Sequence, residues 1–140
     1  MNSYNFQEMN VSDYDRIIAF WKRTPGLGLS DADSQYGIRV FLERNPGTSF
    51  ICEEGDQLIG TILCGHDGRR GYIYHLAVDE AYRKRGIGRQ LTQHSLVALH
   101  RIGIAKCHLF VYRDNREAEL FYDRMEWQKR TTLDIFSKDV

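Results

Sequence analysis

The segment Leu76-Ala77-Val78-Asp79-Glu80-Ala81-Tyr82-Arg83-Lys84-Arg85-Gly86-Ile87-Gly88-Arg89-Gln90-Leu91 gathers the residue types that hold an anion. An apolar run ending at Val78 gives way to a basic glycine loop and then to a helical pattern. Gly86 and Gly88 let the backbone come close to a ligand, and the first turn of a helix carries N–H groups with no intrahelical acceptor. Arg83, Lys84, Arg85 and Arg89 add cationic side chains, with no acid among them. A diphosphate suits such a nest. The alternative is a tight turn bearing a solvated basic face. The coincidence of cations, glycines and helix start directly after a buried strand favours phosphate. Neither G-x-G-x-x-G nor G-x-x-x-x-G-K-[ST] is present, which disfavours nicotinamide oxidoreductases and nucleotide hydrolases.

Other residues carry chemistry with less context. His75 lies beside the strand that feeds the loop, and a neutral imidazole can accept a proton directly or through water. A packed or surface role is the alternative. His66, His94, His100 and His108 are scattered without ligand spacing, so no metal is expected. Cys52, Cys64 and Cys107 sit in apolar runs and read as small buried hydrophobes, where thiolates are disfavoured. Asp31, Asp33 and Glu43 flank a loop between two helices and are able to attract a cation, or simply to solvate helix ends. Asn115 either caps a helix or binds a ligand, and Asp114 with Glu117 offers an equivalent cap. Tyr122 falls in an apolar helical series, where packing competes with any chemical role.

The elements that must position these groups follow from periodicity. Tyr4 to Met9 reads as a short edge strand, after which Ser12 caps an amphipathic helix carrying Tyr14, Ile17, Ile18 and Trp21. A turn-rich stretch, Thr24 to Asp31, leads to a second helix through Ile38, Phe41 and Leu42 that stops at Asn45-Pro46-Gly47. Ser49 to Glu53, Leu58 to Gly65 and Tyr72 to Val78 form an antiparallel meander with its first turn at Gly55-Asp56. Arg89 to Arg101 is helical, stopping at Gly103. A strand around Cys107, Leu109 and Val111, a helix through Ala118, Phe121, Tyr122 and Met125, and a final strand Thr131 to Phe136 complete the chain. That order implies an α/β or α+β fold, one mixed sheet with helices on its faces, in a single domain spanning 1–140.

The 140-residue chain has formal net charge +0, 42% hydrophobic and 27% charged residues. These values describe a globular domain without a global field for nucleic acid, so any polyanion site is local. The absence of a leader pattern and of a membrane-length apolar run leads to an expectation of a cytoplasmic protein without membrane or nucleic-acid partners. A homodimer is compatible with the sequence, and oligomeric state stays open.

Arg83-Lys84-Arg85-Gly86-Ile87-Gly88 matches Q/R-x-x-G-x-G/A, and Asn115 with Ala118, Phe121 and Tyr122 matches N-x-x-A-x-x-F/L-Y. With these two motifs in order, the chain resembles the GNAT superfamily of N-acetyltransferases along essentially its whole length, and is similar to the small bacterial enzymes that modify ribosomal-protein N-termini. The resemblance implies a mostly antiparallel mixed sheet flanked by about four helices. It implies acetyl-CoA as co-substrate, a primary amine on a peptide or small molecule as acceptor, and direct attack in a ternary complex. It further implies that the coenzyme diphosphate rests on the backbone between Lys84 and Arg89. Leu76 to Val78 would pair with the pantetheine arm, and an N–H at or near Val78 would polarise the thioester. Asn115 would bind the arm, and Tyr122 would protonate the leaving thiolate. The ribosomal-protein enzymes carry a glutamate five residues before that asparagine; here Phe110 stands in its place, so their base does not carry over, and His75 is the candidate. A non-catalytic acyl-CoA sensor is the rival reading, and the presence of Tyr122 favours the enzyme.

Overall fold

The computed structural model describes residues 3–140. The chain divides into two compact units, one running through Phe110 and the other Val111–Val140. In the first, β1 (Asn5–Glu8), α1 (Tyr14–Lys22), α2 (Gln35–Arg44), β2 (Phe50–Glu54), β3 (Gln57–His66), β4 (Gly71–Val78), α3 (Ile87–Arg101) and β5 (Cys107–Leu109) follow one another. Strand order is β1-β2-β3-β4-β5 in one five-stranded sheet. The first four strands pair antiparallel, and β4 pairs β5 in parallel.

Each face of the sheet receives the helices its side chains select. Ile17, Phe20 and Trp21 recur at helical spacing on α1, and Ile38 does the same work on α2. They bury against Met9, Ile51, Leu58, Leu63 and Ala77 in one cluster. On the other face α3 approaches so closely that a Cβ on Gly60 would stand 3.0 Å from Leu91 Cδ1. Leu91, Ser95 and Leu99 are buried along that contact, and the Ser95 hydroxyl donates to the Thr48 carbonyl at 2.7 Å. Gly103, in the left-handed region at φ 86°, stops α3 as expected.

The second unit contains α4 (Arg116–Arg124), whose residues are none of them fully buried. Its ring contacts are Phe121 on Tyr122 and Tyr122 on Trp127. The final strand expected over 131–136 does not form. Its alternating apolar residues Leu133 and Ile135 are 61% and 67% exposed, because a strand is stable only against a neighbouring ladder and none pairs with it among the described residues. Ser12 is not the first cap either: Asn10 accepts its N–H, and a turn of 3-10 helix, Val11–Asp13, precedes α1. Among the described residues no helix is long and apolar enough to cross a membrane.

The segment between α1 and α2 is held by a reciprocal cap in which Ser30 and Asp33 bond each other's backbone across the 3-10 turn Asp31–Asp33. Gly37 in α2 packs on that turn: an added Cβ would stand 2.4 Å from the Ala32 carbonyl oxygen, which is backbone and not free to swing away. Overpacking of this kind costs about 1–3 kcal/mol, against a helix-propensity gain of up to about 1 kcal/mol for replacing glycine with alanine. Gly37→Ala is therefore expected to lower the melting temperature, and a thermal melt showing an increase would contradict this packing.

Candidate functional site

Sheet pairing leaves one strand edge open beside the basic loop. β3 covers β4 along its whole length, from Gly60 opposite Val78 to His66 opposite Gly71. β5 covers only Gly71 to Ile73. Between them the β3–β4 register slips, Leu63 facing His75 and Cys64 facing Ile73, so Tyr74 is an unpaired bulge residue. Beyond it, no strand lies along the second edge of β4 among the described residues. The Asp79 N–H donates to the Ile59 carbonyl at 2.8 Å, on the β3 side. Strand alternation then turns the N–H groups of Leu76 and Val78 to the open edge and that of Ala77 to β3.

The loop that follows presents backbone donors in the same unit. Asp79 caps a 3-10 turn, Glu80–Tyr82, by accepting from the Ala81 N–H at 2.9 Å. Lys84 and Gly86 then take left-handed conformations, at φ 63° and 82°, and Gly86 is the N-cap of α3. A non-glycine residue pays about 1–2 kcal/mol for that conformation, so Lys84 is strained. The first bond into the helix is from the Gln90 N–H to the Gly86 carbonyl, at 3.0 Å. The N–H groups from Lys84 to Arg89, Ile87 and Gly88 included, bond no other backbone group among the described residues. Two left-handed residues and a run of unbonded N–H groups directly before a helix start supply the donors that an anion-binding site needs.

The cations divide. Arg85 donates to the Tyr4 hydroxyl at 3.1 Å and lies 5.0 Å from the Tyr82 ring centroid. Its charge is thereby drawn to one side of the loop. Lys84 and Arg89 are exposed. Arg83 lines a cleft of about 190 Å³ with Phe20, Arg23, Pro25, Val78 and Asp79, which brings the end of β4, the loop and the end of α1 around one space. A larger groove, about 730 Å³, runs along α3 past Phe50, His94 and Val97 and is lined by no residue of the loop, Gln90 of α3 being its lining residue closest to it in sequence. Its size does not coincide with the donors.

His75 is buried on the α1 side of the sheet. Its Nε2 lies 2.8 Å from Asp33 Oδ1, and its ring meets Trp21 edge to face at 4.8 Å between centroids. Trp21 in turn donates from Nε1 to the Thr61 hydroxyl at 2.8 Å. The other Asp33 oxygen accepts the Ser30 N–H at 3.0 Å, and the Asp33 carbonyl accepts the Tyr14 hydroxyl at 2.6 Å. Asp33 is only 6% exposed. It is therefore not the surface attractor of cations that its composition suggested, because its carboxylate is spent on His75 and the cap. The Ser30-x-x-Asp33 spacing is a signal from which the cap could have been found and was not; nothing local pointed to His75.

In the second unit Asn115 caps α4, accepting the Ala118 N–H at 3.1 Å through Oδ1, which leaves its amide nitrogen outside the cap. Asp114 is not the cap. Tyr122 packs between the Phe121 and Trp127 rings, at 5.1 and 5.6 Å. Among the described residues no cluster of three or more His, Cys, Asp or Glu is placed to hold a metal ion.

The thiols stand apart from this chemistry. Burial, with Glu53 and Glu54 nearby, pushes Cys52 up to about 11. Cys64 is raised further by its hydrogen bond to Cys107 and by burial, and the same bond lowers Cys107. Cys107 faces Gly71, at the opposite end of β4 from Val78, which at about 3.3 Å per residue is on the order of 20 Å away. Alkylation of the native protein at pH 8 is expected to spare Cys52 and Cys64 and to reach both after denaturation, as read by mass spectrometry. Native labelling of Cys52 at the rate of a free thiol would contradict its burial.

Residues 14–127 match the acetyltransferase (GNAT) family, a span that runs through both units. The chain is 36% identical over 102 residues to N-alpha-acetyltransferase 30 of Schizosaccharomyces pombe, covering 69% of this chain and 68% of that protein. Among solved structures it superposes on the ribosomal-protein-S18-alanine N-acetyltransferase of Escherichia coli with TM-score 0.76 at 18% identity, covering 92% of this chain and 80% of that one. It superposes on AAC(6')-Iy, in complex with the bisubstrate analogue CoA-S-monomethyl-acetylneamine, with TM-score 0.80 at 15% identity over 99% of each chain. An open strand edge leading into a basic nest at a helix start thus lies within a matched sequence and a shared fold, and the chain belongs to the acetyltransferase (GNAT) family.

Proposed function

We propose that the two units form one acetyltransferase domain that moves the acetyl group of acetyl-CoA onto a primary amine by direct attack in a ternary complex. One observation carries this reading: the outward N–H groups of Leu76 and Val78 lead within a few residues to the donors of Lys84 to Arg89. A linear ligand with amides at one end and a diphosphate at the other needs that sequence of partners. The diphosphate rests on the backbone of Lys84, Arg85, Gly86, Ile87, Gly88 and Arg89, with Arg83 adding charge. The pantetheine amides take the free edge of Leu76-Ala77-Val78, as a missing strand would, and the Asn115 amide nitrogen donates to the same arm.

The reaction then needs three services. The amine nitrogen attacks the thioester carbonyl, forming C–N, and the oxygen that gains charge is met by the outward N–H of Leu76, the donor of this edge farther from the diphosphate loop. The amine proton passes to His75 Nδ1, directly or through water. The C–S bond breaks, and the coenzyme thiolate takes its proton from the Tyr122 hydroxyl. Cys52 and Cys64 are raised, and Cys107, which is lowered, pairs with Gly71 at the far end of β4 from the loop, which argues against an acetyl-cysteine intermediate. The acceptor is an amine of a peptide N-terminus, a lysine or a small molecule; the relatives include an N-alpha-acetyltransferase and a protein bound to an acetylneamine analogue. Thiol release from acetyl-CoA across a panel of peptides and amines tests the reading, and binding without release for every acceptor would favour an acyl-CoA sensor.

Two variants separate binding from chemistry. Coenzyme A is expected to raise the melting temperature by mass action, and Gly86→Val to abolish the shift. At φ 82° with nothing within 4 Å of an added Cβ, the substitution strains the loop without a clash in the core; a folded variant with an unchanged shift would remove the loop from the site. Tyr122→Phe is expected to keep the fold and the coenzyme shift and to lose kcat by roughly 10²-fold, the usual scale for a positioned proton donor. Turnover within a factor of two of the parent, with chemistry rate-limiting, would return Tyr122 to a packing role.

A further inference from the structure

The contact between His75 and Asp33 spans forty-two residues of sequence and ties β4 to the segment between α1 and α2. A carboxylate accepts and does not donate, so the proton between Asp33 Oδ1 and His75 Nε2 belongs to the imidazole. That fixes the neutral ring as the Nε2–H tautomer and leaves the lone pair on Nδ1. Every buried side-chain nitrogen or oxygen among the described residues has a partner, whereas Nδ1 has no bond of its own, so Nδ1 keeps solvent contact. The ring has little freedom to turn: Trp21 closes its edge, held by the Thr61 hydroxyl. Asp33 has as little, since its second oxygen is committed to the Ser30 N–H and its carbonyl to Tyr14. The charged or titratable groups in these contacts are Asp33 from the interhelical segment and Tyr14 from α1, and Trp21 and Leu63 present apolar surface.

We propose that Asp33 is the positioning residue for His75, holding its imidazole with the basic nitrogen turned to the acceptor side and coupling that orientation to the folded state of the α1–α2 segment. The proposal rests on the reading of His75 as proton acceptor. In the step it serves, the attacking amine loses its proton to Nδ1, Nε2–H stays bonded to Asp33, and Asp33 itself is never protonated. An Asp33→Asn side chain has one acceptor where two are needed. Either its amide NH₂ faces Nε2 and forces the Nδ1–H tautomer, or it faces the Ser30 N–H and opens the cap.

Imidazole ¹⁵N spectra of the whole protein test the geometry without reference to turnover. The expected result is an Nε2–H signature for neutral His75 in the parent and, in Asp33→Asn, either its loss or its retention with the Ser30 amide freed to exchange; an Nδ1–H tautomer in the parent, or an Asp33→Asn protein that keeps both the Nε2–H signature and a protected Ser30 amide, overturns the proposal. Turnover then tests the coupling, with melting curves and the coenzyme A shift confirming folded protein. Asp33→Asn is expected to lower kcat at least about tenfold, and Asp33→Asn combined with His75→Gln to be within about twofold of His75→Gln alone. Losses that multiply would mean that Asp33 acts without His75, and would overturn the inference. Ser30→Ala, which removes the cap hydroxyl and leaves the His75 contact, is expected to retain most of the parent kcat; a loss equal to that of Asp33→Asn would assign the effect to the segment alone and overturn it. The two readings fail differently. Parent-like turnover in both His75→Gln and His75→Ala removes the base itself, whereas an impaired His75→Gln beside a parent-like Asp33→Asn removes only the positioning role.

Discussion

A strand's backbone N–H and C=O groups need partners, and beyond Ile73 the second edge of β4 has no strand among the described residues to supply them. The bulge at Tyr74 is where the two edges part company: β3 follows β4 through the register slip, and β5 does not. An amide-bearing chain laid along Leu76 to Val78 completes the sheet with hydrogen bonds the fold already orients. Because the edge is made of main chain, its recognition depends on register and on few side chains. Other proposed groups of the first unit take their places from that edge. Val78 ends it, the nest begins a few residues on, and His75 sits within it with its side chain on the α1 face.

Charge is arranged locally to match. The whole chain is neutral, so the proposed attraction of a polyphosphate rests on the loop and the helix it opens. Backbone donors count for more here than side chains, since Arg85 is already engaged with Tyr4 and Tyr82. The strain at Lys84 is the counterpart: a left-handed lysine and a left-handed glycine aim successive N–H groups outward, a conformation that a compact chain has no other evident reason to hold.

Much of this was legible in the residues because β4, the loop and α3 are contiguous. Periodicity marked the strand and the glycines marked the turn without help from distant contacts, and the cations suggested the ligand class proposed for the loop. The meander and its turn at Gly55 were legible for the same reason, and the helix boundaries shifted by only a few residues. What could not be read depended on distance. The partner of His75 lies on another element, so Asp33 read as a surface acid. The slip at Tyr74 depends on how β3 pairs with β4, and no residue of β4 announces it. The alternation over 131–136 had the right period for a strand but no ladder to join among the described residues, and Asn115 read as either cap or ligand; its bond to the Ala118 N–H shows the cap without bearing on the other role.

Amide hydrogen exchange, measured with and without coenzyme A, tests the central claim most directly, because the proposed contacts are themselves backbone N–H groups. The account predicts slowed exchange at Leu76 and Val78 and across Lys84 to Arg89 when the coenzyme is added, with Ala77, already bonded to β3, little changed. Saturating coenzyme A that leaves these amides exchanging freely, or that protects instead the groove along α3 at His94 and Val97, would contradict it.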